Sequence, residues 1–277
     1  MTQQTTQHAQ PGYGRRLQDR TALVTGSTRN IGRSIVQALA AEGAHVVVSG
    51  RNVRRGEEVV AGIRERGGKA DFVASDLDGS PEASHALAGA AADVLGGRID
   101  ILVNNAGIYS ATVLADTDSE TFDSYYAVNV KAPFFLTQAV APHMVADGGG
   151  AIINLGSWAA RLALPVGGLY ASTKGALETL TRAWAAELGP QGVRVNAVSP
   201  GVIRPPELDP SVDFAGGITL GTPAGGPGHP DAIGAAVVYL ASDDAKFVHG
   251  TVLDVDGGRM GVAVIADPGT ITVPENH

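Results

Sequence analysis

A chain of 277 residues, 44% hydrophobic and 17% charged, can bury one large core, which excludes wholesale disorder. Its net charge of −8 argues against a general nucleic-acid binder, which needs a basic face to displace counterions. It has no Cys, so neither a disulfide framework nor a thiol nucleophile is open to it, and no stretch approaches the ~18 consecutive apolar residues of a membrane span.

In chain order, residues 1–18 are polar, lack the apolar run of a signal peptide, and read as a disordered leader on a cytoplasmic protein. After them, short β-branched runs alternate with longer helical stretches. Strands are predicted at 21–24, 45–49, 71–73, 99–103, 152–155, 193–198 and 252–255, and helices at 31–42, 56–66, 81–95, 119–144, 169–188 and 231–241. Gly43, Gly67, Gly96 and Gly189 follow helix ends, where a left-handed C-cap favours glycine. The strands are apolar throughout rather than alternating, the pattern of a parallel sheet covered on both faces. The expectation is therefore an α/β fold: a doubly wound, Rossmann-type three-layer sandwich with a seven-stranded parallel sheet. It occupies a single domain over 19–258, with an irregular Gly/Pro-rich loop at 204–229 and a tail at 259–277.

In such sheets ligands gather beyond the carboxyl ends of the strands. There the first strand runs into Thr25-Gly26-Ser27-Thr28-Arg29-Asn30-Ile31-Gly32 and then a helix, whose free N–H groups and positive potential suit a pyrophosphate. The second strand ends at Gly50-Arg51-Asn52, with an Arg where sites selective for NAD place an acid. Arg51 and Arg29 could clamp a 2′-phosphate, whereas Arg54 and Arg55 read as decoration of a helix start. Asp76-Leu77 follows the third strand and Asn104-Asn105-Ala106-Gly107 the fourth. Tyr170 and Lys174 stand one helical turn apart, so a cation can stabilise the phenolate of a group whose ordinary pKa is too high for a base. Ser157 lies thirteen residues before Tyr170 at the end of a strand, placed to donate to a carbonyl oxygen. The seven histidines show no spacing that suggests a metal site, and no Gly-x-Ser-x-Gly surrounds Ser157.

Together these motifs resemble those of the short-chain dehydrogenase/reductases in their compact single-domain branch, over about Asp19 to Gly258. Asn30 departs from the family pattern by standing at the middle glycine, and Asn tolerates positive φ. The resemblance implies an NADP(H)-dependent oxidoreductase, with NAD(H) second, acting on a small carbonyl or alcohol substrate. It further implies a homotetramer, with no nucleic-acid or membrane partner. It assigns Ser157 to the substrate oxygen and Tyr170 to proton exchange. Lys174 is assigned to the Tyr170 pKa and the nicotinamide ribose, and Asn129 to a water-borne proton relay. The cofactor would lie on Gly26, Ser27, Thr28, Arg29, Asn30, Ile31, Gly32, Arg51, Asn52, Asp76, Leu77, Asn105, Ala106 and Gly107. Tyr170, Lys174 and the Pro200-Gly201-Val202-Ile203 segment would complete that site. After that segment Arg204-Pro205 stands where the family often has a threonine, and Arg204 could reach cofactor, substrate or only water. Ser157, Trp158, Tyr170 and Tyr109 would meet the substrate. Leu162, Leu164 and the 204–229 loop would add apolar wall, which hints at a medium-sized hydrophobic ketone. Asn30 and the missing threonine leave a second reading open, a cofactor-sensing or interaction protein that keeps the fold without turnover.

Overall fold

The computed structural model describes residues 15–162, 165–209, 211–212 and 216–262. The strands are β1 Thr21–Val24, β2 His45–Gly50, β3 Lys69–Ala74, β4 Ile101–Asn104, β5 Gly150–Leu155, β6 Val193–Pro200 and β7 Val252–Val255. They pair in parallel throughout, in the order β3-β2-β1-β4-β5-β6-β7. The helices are α1 Asn30–Ala41, α2 Val53–Glu65, α3 Pro81–Val94, α4 Ser119–Tyr126, α5 Ala132–Ala146, α6 Gly168–Leu188, the single turn α7 Gly216–Thr219, and α8 Pro230–Ala241.

Successive strand residues point to opposite faces, so an unbroken apolar strand feeds two cores at once. Val46 and Val48 join Ile35, Leu39, Val237 and the rest of one core, under α1, α2 and α8. Val47, between them, joins Leu102, Leu136, Ile152 and Trp184 in the other, under α3, α5 and α6. This is the doubly wound three-layer sandwich that the alternation of elements indicates.

Two boundaries differ from the sequence reading. Leu17, assigned to the leader, is fully buried in the first core and its N–H donates to the Glu42 carbonyl at 3.0 Å, so residues 15–18 belong to the packed structure. The single helix expected over 119–144 is broken by a π-helical turn at Ala127–Lys131. Pro133 supplies a physical reason, because it has no N–H to give to the Asn129 carbonyl four residues earlier.

Candidate active site

The strand order reverses between β1 and β4, and beyond the carboxyl ends of β1 to β4 lies a cleft of about 730 Å³. Its floor is the turn from β1 to α1. Gly26 has φ 62°, and a Cβ there would stand 2.9 Å from the Ala106 Cα; one on Gly32 would stand 2.4 Å from the Gly26 carbonyl oxygen. Only glycine allows these approaches. Asn30 holds its place at φ 45°, and its Oδ1 is buried without a hydrogen-bond partner. Asn52, Ser80 and Asp118 cap α2, α3 and α4, but α1 has no side-chain cap and no acid in its first turn. Its N-terminal N–H groups and positive end are thus left to the cleft, which fits the pyrophosphate of a dinucleotide.

Gly26, Thr28, Arg29, Asn30, Ile31, Gly32, Arg51, Asn52, Asp76, Leu77, Asn105, Ala106 and Gly107 line this cleft. Ser27 is not among the lining residues. Its Oγ donates to the Val24 carbonyl at 2.7 Å and accepts from the Ser49 N–H at 2.9 Å, so it ties β1 to β2. Asn52 also caps α2, accepting from the Arg55 N–H at 2.9 Å. Asn105 staples its loop to the glycine turn, its Nδ2 donating to the Thr25 and Gly26 carbonyls at 2.8 and 3.0 Å. Arg55, set aside in the sequence as helix decoration, lines the cleft beside Arg29 and Arg51. The cap at Asn52 was the available signal, since it folds the third helical residue back toward Arg51. Arg51 reaches Asp76 at 3.8 Å, with both side chains more than 70% exposed, so the pair is weak and free to rearrange around a ligand.

At Gly107 the wall changes character. A Cβ there would lie 3.3 Å from Asn129 Oδ1 and 3.6 Å from Lys174 Nζ. Next to it Tyr109, also lining the cleft, meets the Tyr170 ring edge-on at 5.0 Å between centroids. Gly167, with φ 85°, turns the chain into α6, whose first two turns present Tyr170 and Lys174 on one face. Lys174 is buried, donates to the Leu155 carbonyl at 2.8 Å, and lies 5.7 Å from the Tyr170 ring centroid. Ser157 follows β5 and accepts from the Ala159 N–H at 3.2 Å, so its own proton points elsewhere. Burial pushes the Tyr170 phenol up to about 12, against the pull of the Ser157 hydroxyl, and burial brings Lys174 down to about 8. At neutral pH the phenol keeps its proton and the amine its charge.

Asn129, on the π-helical turn, is fully buried. Its Oδ1 accepts from the Ile108 N–H at 2.8 Å, and its Nδ2 donates to the Ile108 carbonyl at 3.0 Å and Thr173 Oγ1 at 3.1 Å. Both amide protons are spent on holding the β4 loop against α6, so the side chain is poorly placed to hold a relay water by donation. Pro133 has no N–H to offer the Asn129 backbone carbonyl, so the ordinary α-helical donor to that oxygen is missing.

Pro200 ends β6, while Gly201 and Ile203 line a second cavity of about 110 Å³ rather than the cleft. Trp158, Ile218, Thr222 and Arg259 share it. Gly201 is pressed on the end of β7, where a Cβ would come within 2.5 Å of the Asp256 Cα. Arg259 lies 4.8 Å over the Trp158 ring; nothing in its sequence context except its place after Gly257-Gly258 signalled this. Arg204 reaches neither cleft nor cavity: its Nη2 donates to the Asp209 and Val212 carbonyls at 2.7 and 2.9 Å, closing its own loop. Leu164 and the tail from residue 263 lie outside the described residues.

A family model described as enoyl-(acyl carrier protein) reductase matches residues 26–259. A cyclopentanol dehydrogenase of Comamonas sp. (strain NCIMB 9872) is 37% identical over 246 residues, 88% of this chain and 98% of that one. Among solved structures, a short chain dehydrogenase/reductase family protein is 45% identical with a TM-score of 0.80, covering 89% of this chain and 100% of its own. A blue fluorescent protein from a metagenomic library, in complex with NADPH, is 32% identical with a TM-score of 0.82, covering 88% and 99%. A family match that begins in the glycine turn and a likeness over nearly the whole length of each relative make this chain an oxidoreductase of the short-chain dehydrogenase/reductase family.

Proposed function

We propose that this chain is an NADP(H)-preferring oxidoreductase that interconverts a ketone or aldehyde with its alcohol, most readily a secondary one, with Tyr170 as general acid and base. The observation that carries this reading is the convergence of buried Asn129 and Lys174 on Gly107, at one end of the dinucleotide cleft, with Tyr170 one turn before Lys174 and edge-on to Tyr109 of the same wall. A nicotinamide held in the cleft would supply or accept the hydride. The chain's own residues handle the oxygen and the proton. Ser157, its oxygen held by Ala159 N–H, donates to the substrate oxygen and stabilises the charge that develops there. Tyr170, protonated at neutral pH, gives its proton to the nascent alkoxide. In the reverse direction Tyr170 must lose that proton, and the Lys174 ammonium is the neighbouring charge that stabilises the phenolate. The Asn129 carbonyl holds the water through which protons leave.

Preference for NADP(H) is supported by three arginines on the cleft and by the absence of an acid at the end of β2. The NADPH held by the metagenomic relative agrees with it. Trp158, Val202, Ile203 and Ile218 in the second cavity favour an apolar substrate, and cyclopentanol is the first probe to use. Cyclopentanol should reduce NADP+ faster than NAD+ at equal concentration. No turnover of cyclopentanol, cyclopentanone or a wider panel of alcohols and ketones would sink the catalytic reading. A homotetramer in the cytoplasm belongs to the same proposal; exposed Phe122 and Phe134 give it apolar contact area, and a monomeric mass by light scattering would refute it.

A further inference from the structure

Behind Ser157 lies a group of charged side chains that the proposed chemistry does not use. Glu178 stands one turn beyond Lys174 on α6 and is 4% exposed. A carboxylate so buried is costly unless paired, and burial does raise its pKa. Its Oε2 faces Arg161 Nε at 3.5 Å, whereas its Oε1 has no hydrogen-bond partner. That orphan oxygen lies beside the backbone just before Ser157, where a Cβ on Gly156 would stand 3.0 Å from it. The Arg161 charge and the Ser157 backbone N–H both favour its ionised form. Asp254 opposes it and Arg182 assists.

Arg161 closes the arrangement. Ser157 and Arg161 flank the single 3-10 turn Trp158–Ala160, with Ala160 N–H donating to the Ser157 carbonyl at 3.0 Å and Arg161 N–H to the Trp158 carbonyl at 3.1 Å. The Arg161 guanidinium is bidentate on Asp254 of β7, and its Nη2 also donates to Ser199 Oγ of β6 at 3.0 Å. The turn that begins at Ser157 is therefore anchored at its far end to β6, β7 and α6, while Glu178 buttresses its near end.

We infer that the Arg161–Glu178 pair is a positioning device for Ser157, fixing the serine turn against the helix that carries Tyr170 and Lys174. A hydroxyl that must aim at a substrate oxygen gains rate from such fixation, since displacement by about 1 Å can cost up to about 100-fold. The inference rests on the oxidoreductase reading for its kinetic consequence, but its geometric content stands alone.

The test compares E178A with E178Q in the full chain, using cyclopentanol with NADP+ for turnover and NADPH fluorescence for binding. E178A should lower kcat roughly 30-fold. Its NADPH Kd should stay within about twofold, since no part of the pair lines the cleft. E178Q keeps the shape of the buttress and should recover most of the loss. The idea is overturned if E178A keeps kcat within about threefold, or if nucleotide affinity falls in step with kcat, as a merely structural role requires. Should E178A not fold, R161M is read the same way. Crystal structures of the wild type and the variant decide the geometry without any substrate: a Ser157 Oγ shifted by about 1 Å supports the inference, and superposable serines refute it. An inactive wild type would count against the oxidoreductase reading and leave that comparison standing.

Discussion

The two ends of the site are built from different materials. The nucleotide end is largely backbone: a glycine turn, an uncapped helix start and side chains such as Arg51 and Asp76 that stand mostly in water. The chemical end is side chain, with Lys174, Asn129 and Ser157 buried and held by hydrogen bonds and Tyr170 half-buried edge-on to Tyr109. Exposed charges are screened by water and interact weakly, so they can be exchanged at small cost. Buried groups are shifted in pKa and destabilise the fold, so substitution there alters rate and stability together. Substitutions at the two ends should therefore differ in kind as well as in size.

The largest effect should come from Tyr170→Phe, which removes the proton donor and leaves the ring against Tyr109. Turnover should fall roughly 1000-fold, with the NADPH Kd changed by no more than about twofold. Loss of binding in parallel would erase the division between the two ends.

Lys174→Met should cost roughly 100-fold in kcat and yet raise stability at pH 7. Its pKa falls from 10.5 to about 8, so between those values the folded state binds fewer protons than the unfolded one. Stability therefore rises with pH across about 8 to 10.5, and below pH 8 the buried charge opposes folding by roughly 3 kcal/mol. The bond lost at the Leu155 carbonyl takes back about 1 kcal/mol. The variant should melt several degrees above the wild type at pH 7, with the gain vanishing toward pH 10. Equal melting at pH 7 would mean that function carries no stability cost here.

Legibility in the sequence follows the same division. Continuous apolar strands gave their places within a few residues because a strand buried on both faces leaves no other pattern. The glycine turn was legible because Gly26 and Gly32 answer to steric limits that any reader of the sequence can state. What escaped was environment. Asn129 was recognisable as a residue type in place, but its commitment to Ile108 and Thr173, and the release of its carbonyl by Pro133, depend on how a broken helix meets a loop. Ser27 was read as a ligand because the motif is contiguous, while the turn rotates it away from the cleft and toward Ser49. Arg161 and Glu178, seventeen positions apart, carried no local signal at all.

At the nucleotide end the effects should be smaller and confined to binding. Arg51→Ala should weaken NADPH about tenfold and NADH hardly at all, because only the former offers a 2′-phosphate. Arg29 and Arg55 also line the cleft, which would limit the loss. Equal weakening of both nucleotides would move the 2′-phosphate away from Arg51.

The smallest effect, and the sharpest for the contrast, should be that of Asn30→Gly. Asn30 sits at φ 45° with a buried, unpartnered Oδ1 in the wall of the cleft, so two costs meet in one residue. A left-handed conformation costs an L-residue roughly 1 kcal/mol, which glycine avoids, and deleting the side chain removes the orphan oxygen. Glycine returns part of this through the greater freedom of the unfolded chain. The net expectation is a rise of 1–2 °C in Tm, at about 2–4 °C per kcal/mol, read without nucleotide. If the Asn30 side chain crowds the pyrophosphate, NADPH should also bind a few-fold more tightly, because the α1 N–H groups become easier to approach. A weaker Kd would give Asn30 the opposite role: its amide would donate to the phosphates, and the nucleotide end would depend on a buried side chain as the chemical end does.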